Sequence, residues 1–254
     1  MNLFDSVHIG IDPTSGNKAF SYAVLDGHLN LVALAEADME EIAAFLGGQN
    51  AAFVAINSPS SVNRGLVKQK LIEEHSGPGR SVRGADIRLA EYELRERGIA
   101  VAGTHSREEL CPAWMQVGFS LYEKLSELGF KPYSAEGAGC QFLETHPFAC
   151  FCVLAENMPF SKLTLEGRLQ RQLILNDKGL RINDGMEFFE EITRFKLMKG
   201  ILPTGVLYSP EQLDVLVAAY TAWLVANQSD EVIRVGDKDE GQMILPVKEL
   251  KAKY

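Results

Sequence analysis

Three acidic side chains lie in predicted strands or helices that are otherwise apolar. Asp12 follows the apolar run VHIGI, and Glu144 ends the strand predicted within GCQFLETHP. Asp214 lies in a helical pattern in which its i+3 and i+4 neighbours, Val217 and Ala218, are apolar, so its side chain is predicted to face the sheet. Because desolvating a lone carboxylate is costly, each of these acids should be paired, hydrogen-bonded or functional.

The chemistry of these acids depends on whether they meet in the folded chain. Carboxylates a few ångströms apart raise each other's pKa values, and divalent cations relieve that repulsion. Mg²⁺ and Mn²⁺ prefer oxygen ligands, and two such ions about 4 Å apart can cleave a phosphodiester. The pattern therefore predicts a site in which Asp12, Glu144 and Asp214 are both catalytic residues and metal ligands.

Each acid also has a purely structural explanation. Asp12 precedes Pro13 and can form a turn, Glu144 can be an exposed strand end, and the helix dipole favours an acid such as Asp214 near a helix start. His146 is a candidate general base, although a lone histidine is more often structural or on the surface. The residues alone leave these alternatives open, and we favour the structural one for His146.

Basic side chains are concentrated in and after a long predicted loop at residues 58–84, which is rich in Ser, Gly and Pro. Loops of this length inside a domain are usually functional or disordered. Their arginines can bind substrate phosphates or simply solvate the loop, and both interpretations stay open. The candidate substrate-binding residues are Arg64, Arg80, Arg83 and Arg88.

The overall composition restricts the function classes. The 254-residue chain has 25 basic and 34 acidic residues and a formal net charge of −9, which argues against a protein that coats nucleic acid by charge alone. A metal-dependent enzyme remains compatible, because bound ions neutralise acids. No apolar run suits a membrane span, no basic leader is evident, and the four cysteines form no C-x-x-C motif. We therefore expect a cytoplasmic protein with no membrane partner.

The predicted elements place Asp12 at the edge of a sheet. Residues 7–36 contain three short apolar runs separated by PTSGN and by Asp26-Gly27, which predicts three antiparallel strands. A helix over DMEEIAAFLGG follows, and the apolar run AAFVAIN then returns as a strand parallel to the first. Since the carboxyl ends of those two strands adjoin, Asp12 is predicted to lie near Asn57. Glu144 reaches the same edge if its strand joins the sheet.

The rest of the chain alternates helices and strands. A helix over ADIRLAEYELRERG precedes a predicted strand in IAVAG, and a helix in PAWMQVGFSLYEKLSELG precedes the strand that ends at Glu144. Four helical patterns follow, one of them at residues 185–200 and the last capped by Ser209, and a hairpin surrounds residues 236–241.

These elements predict an α/β fold with a ribonuclease H-like topology. Its mixed sheet combines a three-strand antiparallel meander with parallel strands and is flanked by helices. We expect one domain over residues 1–254, with a helical insertion at about 155–205 and the C-terminal hairpin.

The ordered motifs of the chain resemble those of the predicted ribonuclease H-like nucleases known as domain of unknown function 429. They are GIDPTSG, VAINSPSSV, RLAEYELRERGI, ETHPFACFCVL, KLTLEGRLQR, LDVLVAAYTAWLV and GDKDEGQMILP, and they cover nearly the whole chain. The resemblance implies a metal site at Asp12, Asn57, Glu144 and Asp214. The family commonly has an aspartate where this chain has Asn57. The neutral amide would coordinate a cation more weakly and would favour one tightly held ion over two.

The function favoured by these observations is that of a metal-dependent phosphodiesterase. It would be a nuclease that uses Mg²⁺ or Mn²⁺ on nucleic acid or another phosphodiester substrate, and the amide of Asn57 would weaken it. One alternative is a catalytically weakened binding or regulatory protein with the same fold. Another is an actin-like phosphotransferase, since GIDPTSG resembles a phosphate loop, but a convincing second glycine-rich loop is lacking. The sequence leaves open whether the chain forms a homo-oligomer.

Overall fold

Eight strands form one mixed sheet in the computed structural model, which describes residues 6–14, 19–74 and 86–254. The strands are β1 Val7–Asp12, β2 Phe20–Leu25, β3 Leu31–Ala37, β4 Ala52–Ile56, β5 Lys131–Pro132, β6 Cys140–Glu144, β7 Ile233–Val235 and β8 Met243–Leu245. Their order is β3-β2-β1-β4-β6-β8-β7, and β5 pairs with β6. The antiparallel meander β1–β3 and the parallel pairs β1–β4 and β4–β6 confirm the predicted mixed sheet.

Helices flank this sheet. They are α1 Met39–Gly47, α2 Leu66–Glu74, α3 Leu89–Glu96, α4 Ala113–Glu127, α5 Pro147–Ala155, α6 Leu165–Asp177, α7 Glu187–Glu190, α8 Arg194–Met198 and α9 Pro210–Asn227. The last helix begins as predicted, because the Ser209 hydroxyl accepts a hydrogen bond from the Gln212 backbone N–H. Crossing a bilayer takes more length and apolar character than any helix in the described ranges has.

Three segments differ from the sequence prediction. The predicted strand at residues 99–103 is irregular, because the Val101 carbonyl accepts hydrogen bonds from the Arg95 side chain rather than from a neighbouring strand. Helix α2 occupies part of the predicted long loop. The pattern at residues 185–200 is divided into α7 and α8, since the Thr193 hydroxyl caps the start of α8.

The central helix α9 lies directly on β1. A Cβ atom added at Gly10 would be 2.0 Å from the carbonyl oxygen of Val215, so glycine permits a contact that any side chain would prevent. On the opposite face of the sheet, Ile9 and Ile11 pack with residues of α1 and α4. The close approach at Gly10 brings the first turns of α9 to the carboxyl end of β1, where Asp12 lies.

Candidate functional site

Asp12 and Asn57 meet where β1 and β4 end. Asp12 is the last residue of β1, and Asn57 directly follows β4. The backbone N–H of Asn57 donates to the Ile11 carbonyl over 2.9 Å, and its side-chain amide donates to Oδ1 of Asp12 over 2.7 Å. No residue in the described ranges donates a hydrogen bond to the amide oxygen of Asn57.

Asp214 reaches the same place from α9. It is 4% exposed and lies on the sheet-facing side of the helix, where the sequence pattern puts it. Its Oδ2 accepts a hydrogen bond from Nζ of Lys162 over 2.5 Å. Lys162 belongs to the loop between α5 and α6, and its side chain is 43% exposed. A buried acid is thus paired with a lysine that also reaches solvent.

Burial destabilises the charged forms of both carboxylates. Burial, followed by the charge of Asp214, raises the pKa of Asp12 to about 6, although the hydrogen bond from Asn57 and the charge of Lys162 oppose the shift. Burial also raises the pKa of Asp214, against the effect of Lys162. Burial alone would lower the pKa of Lys162, but Asp214 outweighs it and the net shift is upward. A divalent cation would stabilise this arrangement.

The loop that carries Lys162 is fixed by two side chains of α6. The buried guanidinium of Arg171 donates to the Phe160 carbonyl over 2.7 Å, and Oε1 of Gln170 accepts from the Phe160 N–H over 2.8 Å. Both backbone groups of Phe160 are thus engaged, whereas the residue is 62% exposed. The loop holds Lys162 against Asp214 and presents an exposed aromatic ring two residues away.

The structure separates Glu144 from Asp12 and Asp214, although Glu144 and Asn57 line one small cavity. In the parallel pairing, Glu144 lies opposite Ile56, which itself lies opposite Ile11. Neighbouring residues in register point to the same face, and successive residues along a strand point to opposite faces. The Glu144 side chain therefore extends from the face of Ile11, whereas Asp12 extends from the face that packs on α9.

Glu144 instead belongs to a buried ion network centred on Arg88. Arg88 donates to both carboxylate oxygens of Glu144 and, through Nε, to Glu91 over 3.0 Å. Ser60 donates to Oε2 of Glu144 through its N–H and its hydroxyl, over 2.8 and 2.9 Å. Burial alone would lower the pKa of Arg88, but the two glutamates raise it. With the guanidinium fully buried and paired, Arg88 is a structural cation, not the substrate-binding residue predicted from the sequence.

The same network connects three segments that are distant in sequence. The Glu240 carboxylate accepts hydrogen bonds from the backbone N–H groups of Arg64, Leu66 and Leu89, and the Glu240 carbonyl accepts from Arg88. The segment after β4, the start of α3 and the turn between β7 and β8 are thereby tied together. These buried acids have a structural explanation in full.

His146 caps a helix. Its Nδ1 accepts a hydrogen bond from the Ala149 backbone N–H over 3.2 Å at the start of α5. Burial lowers the pKa of His146 to about 4, although the charge of Glu144 opposes the shift. The ring is therefore neutral at pH 7, and this hydrogen bond assigns its proton to Nε2. The structural interpretation favoured from the sequence agrees with this geometry.

Arg64 is exposed and lines a cleft of about 1120 Å³. The wall of this cleft also carries Tyr133, whose ring lies 4.8 Å below the guanidinium carbon of Arg234. Arg80 and Arg83 lie outside the described residues. Among the predicted phosphate-binding arginines within residues 6–14, 19–74 and 86–254, Arg64 is therefore the one whose side chain a substrate can reach.

The donors in the site suit a single hard cation. Within the described ranges, no three Asp, Glu, His or Cys residues are grouped to hold a metal ion. The site provides two carboxylates, Asp12 and Asp214, and the amide oxygen of Asn57. Oxygen donors of this kind, completed by water or phosphate oxygens, suit one Mg²⁺ or Mn²⁺. The sequence does not predict the role of Lys162. It lies in an irregular loop, where no pattern of neighbouring residues distinguishes a site lysine from an ordinary surface lysine.

A family model described as Protein of unknown function (DUF429) matches residues 10–240. This range includes every residue of the site, from Asp12 to Asp214. No match was found among curated proteins or among solved structures.

Proposed function

The chain belongs to DUF429, a family of unknown function, and from its site we propose that it is a metal-dependent phosphodiesterase that acts on nucleic acid. The observation that carries the proposal is the proximity of the half-buried carboxylate of Asp12 to the buried carboxylate of Asp214, beside the amide of Asn57. Acids held together against their mutual repulsion are typical of functional sites. The mixed sheet also resembles that of ribonuclease H-like nucleases, an analogy of fold that supports the proposal without defining the activity.

Asp12, Asp214 and the carbonyl oxygen of Asn57 would hold one Mg²⁺ or Mn²⁺. A bound ion of this kind would activate water and stabilise negative charge on a phosphate. Asp12 is the residue that controls its binding, because the raised pKa of this carboxyl, about 6, makes its ionisation depend on pH near neutrality. The neutral amide of Asn57 supplies one negative charge fewer than an aspartate would, so the site would bind a second cation more weakly.

Lys162 would bind the substrate phosphate. In the absence of a cation, its ammonium group neutralises Asp214 over 2.5 Å. A cation bound at Asp214 would release this group, and its side chain is exposed enough to turn towards a phosphate oxygen at the mouth of the site. There its charge would oppose the negative charge that develops during cleavage.

Phe160 supports nucleic acid as the substrate. Its ring is exposed two residues from Lys162, while its backbone is held by Gln170 and Arg171. An exposed ring on a fixed backbone is a stacking surface for an unpaired base, a contact that every base can make. Arg64 provides a further exposed cation for the phosphate backbone.

The test is turnover of end-labelled single-stranded and double-stranded DNA and RNA by the full chain with Mn²⁺ or Mg²⁺. We expect metal-dependent cleavage that is lost in Asp12→Asn and Asp214→Asn, because each substitution removes an anionic ligand while keeping the shape of the side chain. The matched control is Asp177→Asn, an exposed acid at the end of α6, which should retain activity. Equal turnover in wild type and both site variants would overturn the proposal.

A second function, that of a binding protein without catalysis, is favoured by one specific observation. Both acids already have internal partners, since Asn57 donates to Asp12 and Lys162 pairs with Asp214. A site satisfied in this way can persist without a cation. Binding of labelled oligonucleotides without cleavage in saturating Mn²⁺ would support it, and gain of cleavage in Asn57→Asp would instead show a weakened enzyme.

A further inference from the structure

We propose that residues 186–202, the α7–α8 segment, form the interface of a symmetric homodimer. This inference does not rest on the proposed activity, since it concerns none of the residues of the acidic site. Of the fifteen large hydrophobic residues that are exposed in the described ranges, seven lie in this segment. They are Met186, Phe189, Phe195, Leu197, Met198, Ile201 and Leu202.

The α7–α8 segment buries very little of its own apolar surface. Helix α7 has one buried residue, Phe188, and helix α8 has none. Phe195 and Met198 are 68% and 76% exposed. Ordering a chain segment costs conformational entropy, which burial of apolar area normally offsets. A concentration of exposed apolar residues on an ordered segment marks an interaction surface.

The charges of the segment identify the partner. Its first helix carries Glu187 and Glu190, and its second half carries Arg194 and Lys199. None of these four side chains has an ion pair with another described residue. A twofold axis that lays α7 of one copy across α8 of the other would put each acidic end on a basic end. The segment is therefore complementary to itself in charge.

A second copy fits this surface better than a partner of one charge sign. The segment has three acidic and three basic residues, of which Glu191 and Lys196 already pair with each other over 2.9 Å. A strand of nucleic acid or an acidic peptide would meet repulsion along the half that contains Glu187 and Glu190. In the symmetric arrangement the acidic half of each copy faces the basic half of the other. The apolar side chains of the two copies then bury each other.

The first test is the molar mass of the full chain by light scattering and sedimentation at several concentrations. We expect a dimer for the wild type and a monomer for the double variant Phe195→Glu, Met198→Glu, which introduces charge into the apolar contact. Val32→Glu is the matched control, because Val32 is 61% exposed on β3, outside the segment, and this variant should stay dimeric. A wild type that is monomeric at about 0.2 mM would overturn the proposal.

The second test exchanges the charges of the two ends. The variant Glu187→Lys, Glu190→Lys and the variant Arg194→Glu, Lys199→Glu should each self-associate about tenfold or more weakly than wild type. Mixed in equal amounts they should form a heterodimer, because the net positive segment of one then faces the net negative segment of the other. Failure of the mixture to associate, with both variants folded by circular dichroism, would rule out the self-complementary arrangement.

Discussion

Asp12 and Glu144 both end strands of the parallel part of the sheet, yet their side chains extend from opposite faces. The pairing Ile11 to Ile56 and Ile56 to Glu144 puts Glu144 one residue out of phase with Asp12. Asp12 therefore belongs to the site shared with Asp214, and Glu144 belongs to the ion network of Arg88. Because side chains alternate between the two faces of a strand, a difference of one residue in register puts Asp12 in the candidate site and Glu144 in the structural network.

Glu144→Gln should destabilise the fold without weakening cation binding. The substitution leaves the buried Arg88 with one charged partner fewer, and breaking a buried ion pair of this kind costs about 3 kcal/mol or more. Urea unfolding measures this loss, and calorimetric titration with Mn²⁺ on the folded variant should match wild type. The reverse result, a large loss of Mn²⁺ affinity with unchanged stability, would return Glu144 to the metal site.

The sheet could be predicted from the sequence because its signals are local. Three short apolar runs separated by turn residues mark β1–β3, and the continuous run at β4 indicates burial on both faces. The face to which Glu144 points could not be predicted. It depends on which residue of β4 lies opposite, and that register is a tertiary property set by the pairing of residues 52–56 with 140–144.

The acidic part of the site was more predictable than its basic part. Asp214 is foreseen because an acid on the apolar face of a helix has an unusual environment. Lys162 reaches Asp214 because Arg171 and Gln170 fix the conformation of its loop. Such contacts between a loop and a helix cannot be predicted from residue spacing in the sequence. Arg88 was assigned to substrate binding from the sequence, because a cation near the start of a predicted helix gives no sign of whether it faces a substrate or is buried in an ion network.

Asp12→Asn should stabilise the folded chain at pH 8. Since the folded-state pKa of Asp12 is raised from 3.8 to about 6, its ionised form costs stability above pH 6, and this cost disappears as pH falls towards 4. The gain should therefore reach about 2–3 kcal/mol at pH 8 and vanish near pH 4. Thermal or urea unfolding at both pH values measures it, with Asp177→Asn as the exposed control. Destabilisation at pH 8 would contradict the assignment of a strained carboxylate.

Cation affinity should rise with pH and level off above the pKa of Asp12. The carboxyl must lose its proton to bind an ion, so below pH 6 the affinity for Mn²⁺ should fall by up to about tenfold per pH unit. Glu211→Gln should move the midpoint to lower pH, because the charge of Glu211 contributes to the raised pKa of Asp12. Titration calorimetry between pH 5 and 8 checks both points. An affinity that does not change over this range would exclude Asp12 as a ligand.

Lys162→Met should separate cation binding from turnover. Removal of the ammonium group that neutralises Asp214 leaves the acid free for an ion, so Mn²⁺ should bind more tightly in the absence of substrate. Turnover should nevertheless fall about 10²-fold or more, because the positive charge near the phosphate is lost. Lys162→Arg, which keeps the charge, should recover part of the rate. Unchanged turnover in Lys162→Met would remove this residue from the proposed mechanism.

Gly10→Ala should damage both the fold and the site, because it acts on the contact that positions α9. The added Cβ would lie 2.0 Å from the Val215 carbonyl oxygen, so the helix must move away from β1 or the strand must bend. We expect a loss of about 3 kcal/mol or more in urea unfolding. Movement of α9 also carries Asp214 away from Asp12, so Mn²⁺ affinity should fall in the molecules that remain folded.

Gly205→Ala is the matched control for this substitution. A Cβ added at Gly205 meets no atom within 4 Å, so the variant should unfold at nearly the wild-type urea concentration and bind Mn²⁺ normally. The comparison separates the general effect of adding a methyl group from the specific contact at Gly10. If Gly10→Ala lost stability but kept wild-type Mn²⁺ affinity, the approach of α9 to β1 would support the core without positioning Asp214, and the cation would have to bind independently of that helix.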